Sequence, residues 1–127
     1  TAEENILLAG YFAGSDMAEL KKRAAGLLER VGLANKKDTL PGKLSIGEQQ
    51  RIAVVRAVIN KPVLLLADEP TASLDAENSR IVLGLLRGLC SENGTALILS
   101  THDESVKEQF DEWFDIKGGR FITHEHH

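Results

Sequence analysis

The chain has 127 residues, 43% hydrophobic and 27% charged, with a net charge of −4, which suits a globular protein with one core. Its charge is uneven: residues 1–60 carry nine Lys and Arg against seven Asp and Glu, and residues 61–127 carry six against twelve. No basic stripe marks a nucleic-acid surface, the lone Cys90 excludes an intrachain disulfide and fits a reducing compartment, and no apolar run nears the roughly 20 residues of a membrane helix.

From Thr1 the opening is polar and acidic and does not read as a secretory signal. Thr1 and Glu4 have the spacing of a capping box and predict a helix that runs to the break at Gly14 and Ser15. Asp16 and Glu19 form a second such pair. Leu20, Ala24, Leu27, Leu28 and Val31 then recur at helical spacing, and Gly32 supplies the stop. "ANKKDTLPGK" at 34–43 reads as a polar loop. Ser45 and Glu48 make a third box, which opens a helix through Ile52, Val55, Arg56 and Ile59 and ends at Pro62.

The character changes after Pro62. Val63–Ala67 is an unbroken apolar run and predicts a strand buried on both faces. Asp75 can cap a helix over about 76–92, which Gly94 ends. "TALILS" at 95–100 reads as a second buried strand, and "HDESVKEQF" at 102–110 as a short helix. "EWFDI" and "RFIT" flank "KGG" as a terminal hairpin. Strand, helix and strand in that order predict an α/β fold with a parallel pair. Residues 1–60 read as a helical part and 61–127 as part of an α/β core, one incomplete domain in all. His124, His126 and His127 are read as a tail without function.

Three elements carry chemistry. Asp68 and Glu69 end the first strand, and open parallel sheets collect ligands at the carboxyl ends of their strands. One acid suits Mg²⁺, which takes carboxylate and water oxygens; the other suits general-base assistance to a water. A strand that merely exits into solvent is the other reading of these residues. "LSIGEQQR" at 44–51 starts a helix whose free N–H groups attract anions, with the Ser45 hydroxyl and the small Gly47 beside them; a plain capping box is the alternative. His102 follows the second strand at the same sheet end and can donate to a phosphate oxygen, or can be a surface histidine at a corner.

Taken together and in this order, "LSIGEQQR", "VLLLADEPTASLD" and "STHD" resemble the signature, the Walker B strand with its D-loop, and the switch histidine of ATP-binding-cassette transporters. The resemblance covers nearly the whole chain, and "LADEPTASLD" points to the branch for lipoprotein release and macrolide-type export. It implies a partial P-loop NTPase (RecA-like) core with a helical subdomain and a C-terminal β-hairpin. It implies that the protein hydrolyses ATP to power transport. Asp68 would bind Mg²⁺, Glu69 would polarise the attacking water, and His102 would contact the γ-phosphate. Ser45, Gly47, Glu48 and Asp75 would act at the nucleotide held by a second ATP-binding subunit, arranged head to tail. Residues 1–44 would contact a transmembrane permease, placing the protein on the cytoplasmic face of the membrane. Ile46 departs from the pattern, where the family usually has Gly.

A larger departure is the phosphate-binding loop. G-x-x-x-x-G-K-[ST] cradles phosphates with its backbone N–H groups, and it does not occur in these 127 residues. The expectation is therefore a C-terminal fragment of an ATP-binding subunit, inactive by itself and prone to self-association through an unpaired sheet edge. The alternative is a non-catalytic module that docks on a permease or on an intact ATPase subunit.

Overall fold

The computed structural model describes residues 1–110 and 112–123. The histidine tail lies outside the described residues. Helix α1 spans Ala2–Phe12, and its capping box is formed as expected: Glu4 N–H donates to the Thr1 hydroxyl and the Thr1 amine to the Glu4 carboxylate. Helix α2 spans Met17–Arg30. Asp16 stands at its N-cap, but its side chain makes no capping bond, so only the position of the second box is correct. Gly32, with φ +78, takes the left-handed backbone that closes α2.

The loop at 34–43 contains two short 3₁₀ turns, Ala34–Lys36 and Pro41–Lys43. Helix α3 spans Ile46–Val58 behind a complete Ser45–Glu48 box. It stops before Pro62, because the residue preceding a proline is disfavoured in α geometry; Lys61 instead adopts φ +49. Strand β1 (Leu64–Asp68), helix α4 (Ala76–Asn93) and strand β2 (Ala96–Ser100) follow. β1 and β2 pair in parallel, with Leu64 opposite Ala96 and Asp68 opposite Ser100. Residues 104–109 form a 3₁₀ turn rather than the predicted helix, since so short a segment barely repays the cost of an α-helical nucleus. Strands β3 (Phe114–Lys117) and β4 (Arg120–Thr123) make the expected antiparallel hairpin. Gly118 and Gly119 both have positive φ at its tip, the backbone of a tight hairpin turn.

The core runs continuously through α1 to α4. Ile6, Leu20, Leu28, Leu33, Val55, Val58, Ile59 and Val82 are all essentially inaccessible. Arg30 of α2 grips Glu92 of α4 with two bonds of 2.6 and 2.7 Å. Both groups are exposed, so the pair contributes little beyond orientation.

The two strands depart from expectation. Leu65, Ala67, Leu97 and Leu99 pack on the helices. Alternate residues face away, leaving Leu66 70% and Ile98 58% exposed, with Val63 beside them at 86%. The strands were predicted to be buried on both faces; among the described residues only one face is covered. An apolar run records that both faces prefer burial, but carries no information about which partner covers each.

Candidate functional site

The parallel register brings Asp68 level with Ser100. Ser100 Oγ donates to Asp68 Oδ1 at 2.6 Å. The Glu69 N–H continues the ladder, donating to the Ser100 carbonyl at 2.8 Å. Then the chain turns sharply. Glu69 has φ +48, a left-handed conformation that costs a non-glycine residue on the order of 1 kcal/mol or more. Ala72 N–H bonds back to the Glu69 carbonyl at 3.2 Å and Leu74 N–H to the Thr71 carbonyl at 3.1 Å, leading into α4.

That turn aims the Glu69 carboxylate along the sheet end. His102 Nδ1 meets Glu69 Oε1, and Thr101 Oγ1 donates to Glu69 Oε2 at 3.5 Å. Thr101 is itself oriented by accepting from the Asp103 N–H at 3.0 Å. The His102 side chain is 99% exposed and Glu69 is about a third exposed at 31%. Asp68, Glu69 and His102 are thus brought to one open sheet end, as the βαβ reading predicted.

Ser45, Gly47, Glu48 and Asp75 assemble elsewhere, at the N-termini of α3 and α4. The Ser45 hydroxyl accepts from Glu48 N–H at 3.1 Å, and Ser45 N–H donates to Glu48 Oε1 at 3.0 Å. Lys36 Nζ lies 3.7 Å from Glu48 Oε2. Asp75 caps α4, accepting from Asn78 N–H at 2.8 Å. Gly47 is buried while Ile46 is 59% exposed, so the position that departs from the signature points outward. Among the described residues no hydrogen bond or ion pair joins this group to Asp68, Glu69 and His102.

The Glu48 carboxyl is held below the ordinary carboxylate range, chiefly by the Ser45 N–H; desolvation opposes this as the next largest effect, and the Ser45 hydroxyl and the charges of Lys36 and Arg51 add smaller lowering contributions. Its folded value is depressed, so its stabilisation is present above the unfolded carboxylate pKa. It is lost as pH falls through the lowered folded value. Replacing Ser45 by Ala should cost about 1 kcal/mol of stability, the usual worth of such a cap. Ala keeps the backbone N–H at position 45 that holds the Glu48 carboxyl, so the acid limb of the unfolding profile should be largely retained, whereas Glu48→Gln, which removes the titrating group, should flatten it. Equal acid profiles for Glu48→Gln and the unsubstituted chain would sink this assignment.

Sequence reasoning missed Ser100, Thr101, Asn78 and Arg51. Ser100 and Thr101 stand beside His102 in "LSTHD", and their adjacency to a strand end was the available signal. Their partners lie 32 residues away and depend on register.

The chain thus carries an open parallel pair with two acids and a histidine at its carboxyl end, and, apart from it, a helix start of the signature type. The ABC transporter family matches residues 1–72, more than half of the chain, and this chain belongs to that family. The lipoprotein-releasing system ATP-binding protein LolD of Shewanella denitrificans is 42% identical over 127 residues, covering 100% of this chain and 54% of that protein. LolD 2 of Chlorobaculum tepidum is 42% identical over 120 residues, covering 94% and 49%. The structure of cbiO1 from Clostridium perfringens, part of the ABC transporter complex cbiONQ, superposes with a TM-score of 0.86 at 30% identity, covering 96% of this chain and 49% of that one. The chain therefore spans about half the length of the relatives it matches.

Proposed function

We propose that this chain supplies the water-activating, Mg²⁺-binding part of an ATP-hydrolysing subunit that powers transport of the lipoprotein-release type. The observation that carries this reading is the Glu69 carboxylate, turned by a left-handed backbone onto His102 and Thr101, beside Asp68 at the end of a parallel pair. The donor chemistry fits Mg²⁺ in part. Asp68 is an oxygen ligand, and among the described residues no three His, Cys, Asp or Glu side chains converge as a cage. That suits an ion that keeps several waters and leans on phosphate oxygens. Bound Mg²⁺ and ATP would supply the transferable phosphoryl group and the neutralising charge.

The residues divide the rest of the work. Asp68, oriented by Ser100, offers an oxygen to the ion. Glu69 orients a water and accepts its proton. His102 holds Glu69 through Nδ1 and presents Nε2 to an oxyanion. The signature residues Ser45, Gly47 and Glu48, with Asp75, serve the nucleotide of a second, head-to-tail subunit. Residues 1–60 act as the helical part and 61–127 as part of the ATPase core. A transmembrane permease holds the assembly at the cytoplasmic face of the membrane.

The exposed face of Leu64, Leu66 and Ile98 supports the idea that further chain belongs on this sheet. It ends at the Asp68 carboxylate, so a segment covering it can deliver a phosphate-binding loop to the acids. Left uncovered, it favours pairing of two copies of this chain. The experiment compares the 127-residue chain with a longer protein that includes such a loop. Mg²⁺-dependent ATP hydrolysis by the longer protein alone is the expected result. Hydrolysis by the 127-residue chain, or none by the longer protein, would reject the reading.

A further inference from the structure

The helix starts that carry Ser45 and Asp75 meet on one side chain, Asn78 in the first turn of α4. Its backbone N–H and its side-chain amide both donate to the Asp75 carboxylate, at 2.8 and 3.2 Å. Its side-chain oxygen accepts from Arg51 Nη2 on α3 at 3.5 Å. That same oxygen lies 2.7 Å from the place a Cβ on Gly47 would occupy.

Two further facts sharpen this contact. Gly47 has no positive φ, so it is space and not backbone freedom that asks for glycine there. Arg51 Nε is buried without a partner, so the bond to Asn78 is the one hydrogen bond that the Arg51 guanidinium makes among the described residues. Losing that acceptor leaves the half-buried guanidinium without its hydrogen-bond partner on α4, which is costly.

We infer that Asn78 is a positioning residue: seated in the notch left by Gly47, it locks the start of α3 to the Asp75 cap of α4, so the two move as one unit. The functional consequence rests on the ATPase reading above; the lock itself rests on packing alone.

Two measurements keep these apart. In the 127-residue chain, Gly47→Ala, Asn78→Ala and the double variant are compared by thermal unfolding. Gly47→Ala should lower the midpoint by about 4–8 °C, and by less than half of that in the Asn78→Ala background. Additive losses would overturn the inference. Should Gly47→Ala fail to fold, recovery in the double variant supports the lock and continued failure overturns it.

In the longer protein, Asn78→Asp is the sharper variant. It keeps an acceptor toward Arg51, loses the amide donor and sets a second carboxylate beside Asp75. Turnover should fall about tenfold, which corresponds to roughly 1.4 kcal/mol of barrier, with KM for ATP unchanged. Wild-type turnover in this variant would overturn the positioning role. If the unsubstituted longer protein does not hydrolyse ATP, the ATPase reading fails, and the unfolding comparison alone decides the lock.

Discussion

Replacing Glu69 by Gln in the longer protein should lower ATP turnover by about two to four orders of magnitude, the usual worth of a positioned general base, while nucleotide binding persists. The substitution is nearly isosteric. Its amide can still meet the Thr101 hydroxyl and an imidazole nitrogen of His102, the partners that the carboxylate has now. The backbone bonds at the left-handed Glu69, to the Ser100 carbonyl and from the Ala72 N–H, do not involve the carboxylate, so the turn should survive. What disappears is the ability to accept a proton from water. Glu69→Asp keeps the charge but loses one methylene of reach, and should fall between the two. Phosphate release in a single turnover, measured beside equilibrium nucleotide binding, checks both. Turnover within threefold of wild type for the Gln variant would remove Glu69 from the role proposed for it.

The second large effect is on stability. Leu20 of α2 is 0% exposed and lies directly over Gly10 of α1. A Cβ on Gly10 would stand 2.2 Å from one Leu20 methyl and 2.4 Å from the other. The two positions are therefore matched in size. Leu20→Ala should cost about 2–5 kcal/mol through lost burial and a residual cavity. That is a large share of the roughly 5–15 kcal/mol available to an ordinary domain. Gly10→Ala should cost about 1–3 kcal/mol by overpacking. Because the second change fills part of the space left by the first, the double variant should lose less than the sum. Denaturant unfolding midpoints test this. A loss below 1 kcal/mol for Leu20→Ala would show that α1 is not held by this contact.

The helices were legible because their ends are written locally. Thr1 with Glu4 and Ser45 with Glu48 close bonds across three residues, and Asp75 caps α4 in the same way. Gly32 and Gly94 end helices with positive φ wherever the rest of the chain lies. Asp16 marks the edge of this rule: the residue type placed the helix start, while the capping bond depends on a side-chain orientation that type alone does not dictate.

The candidate site was legible in part. A parallel pair joined by a helix must bring both strand ends to one side, so Asp68, Glu69 and His102 could be grouped from their order alone. The left-handed Glu69, the Ser100 bond to Asp68 and the seat of Asn78 against Gly47 could not. Each joins groups far apart along the chain or depends on how one helix lies against another.

By itself the sequence determined the ends of the four α-helices to within a few residues, the hairpin turn at Gly118 and Gly119, the family, and which residue types stand at the ends of the strands, but not the 3₁₀ turn at 104–109. Only the tertiary structure decided the register that pairs Asp68 with Ser100, the exposed apolar face of the sheet, and the lock between α3 and α4. The division has a physical cause. Caps and turns close over a few residues, so local side chains and φ preferences settle them. Strand register and helix contacts close over tens of residues and are settled by which apolar surfaces find partners.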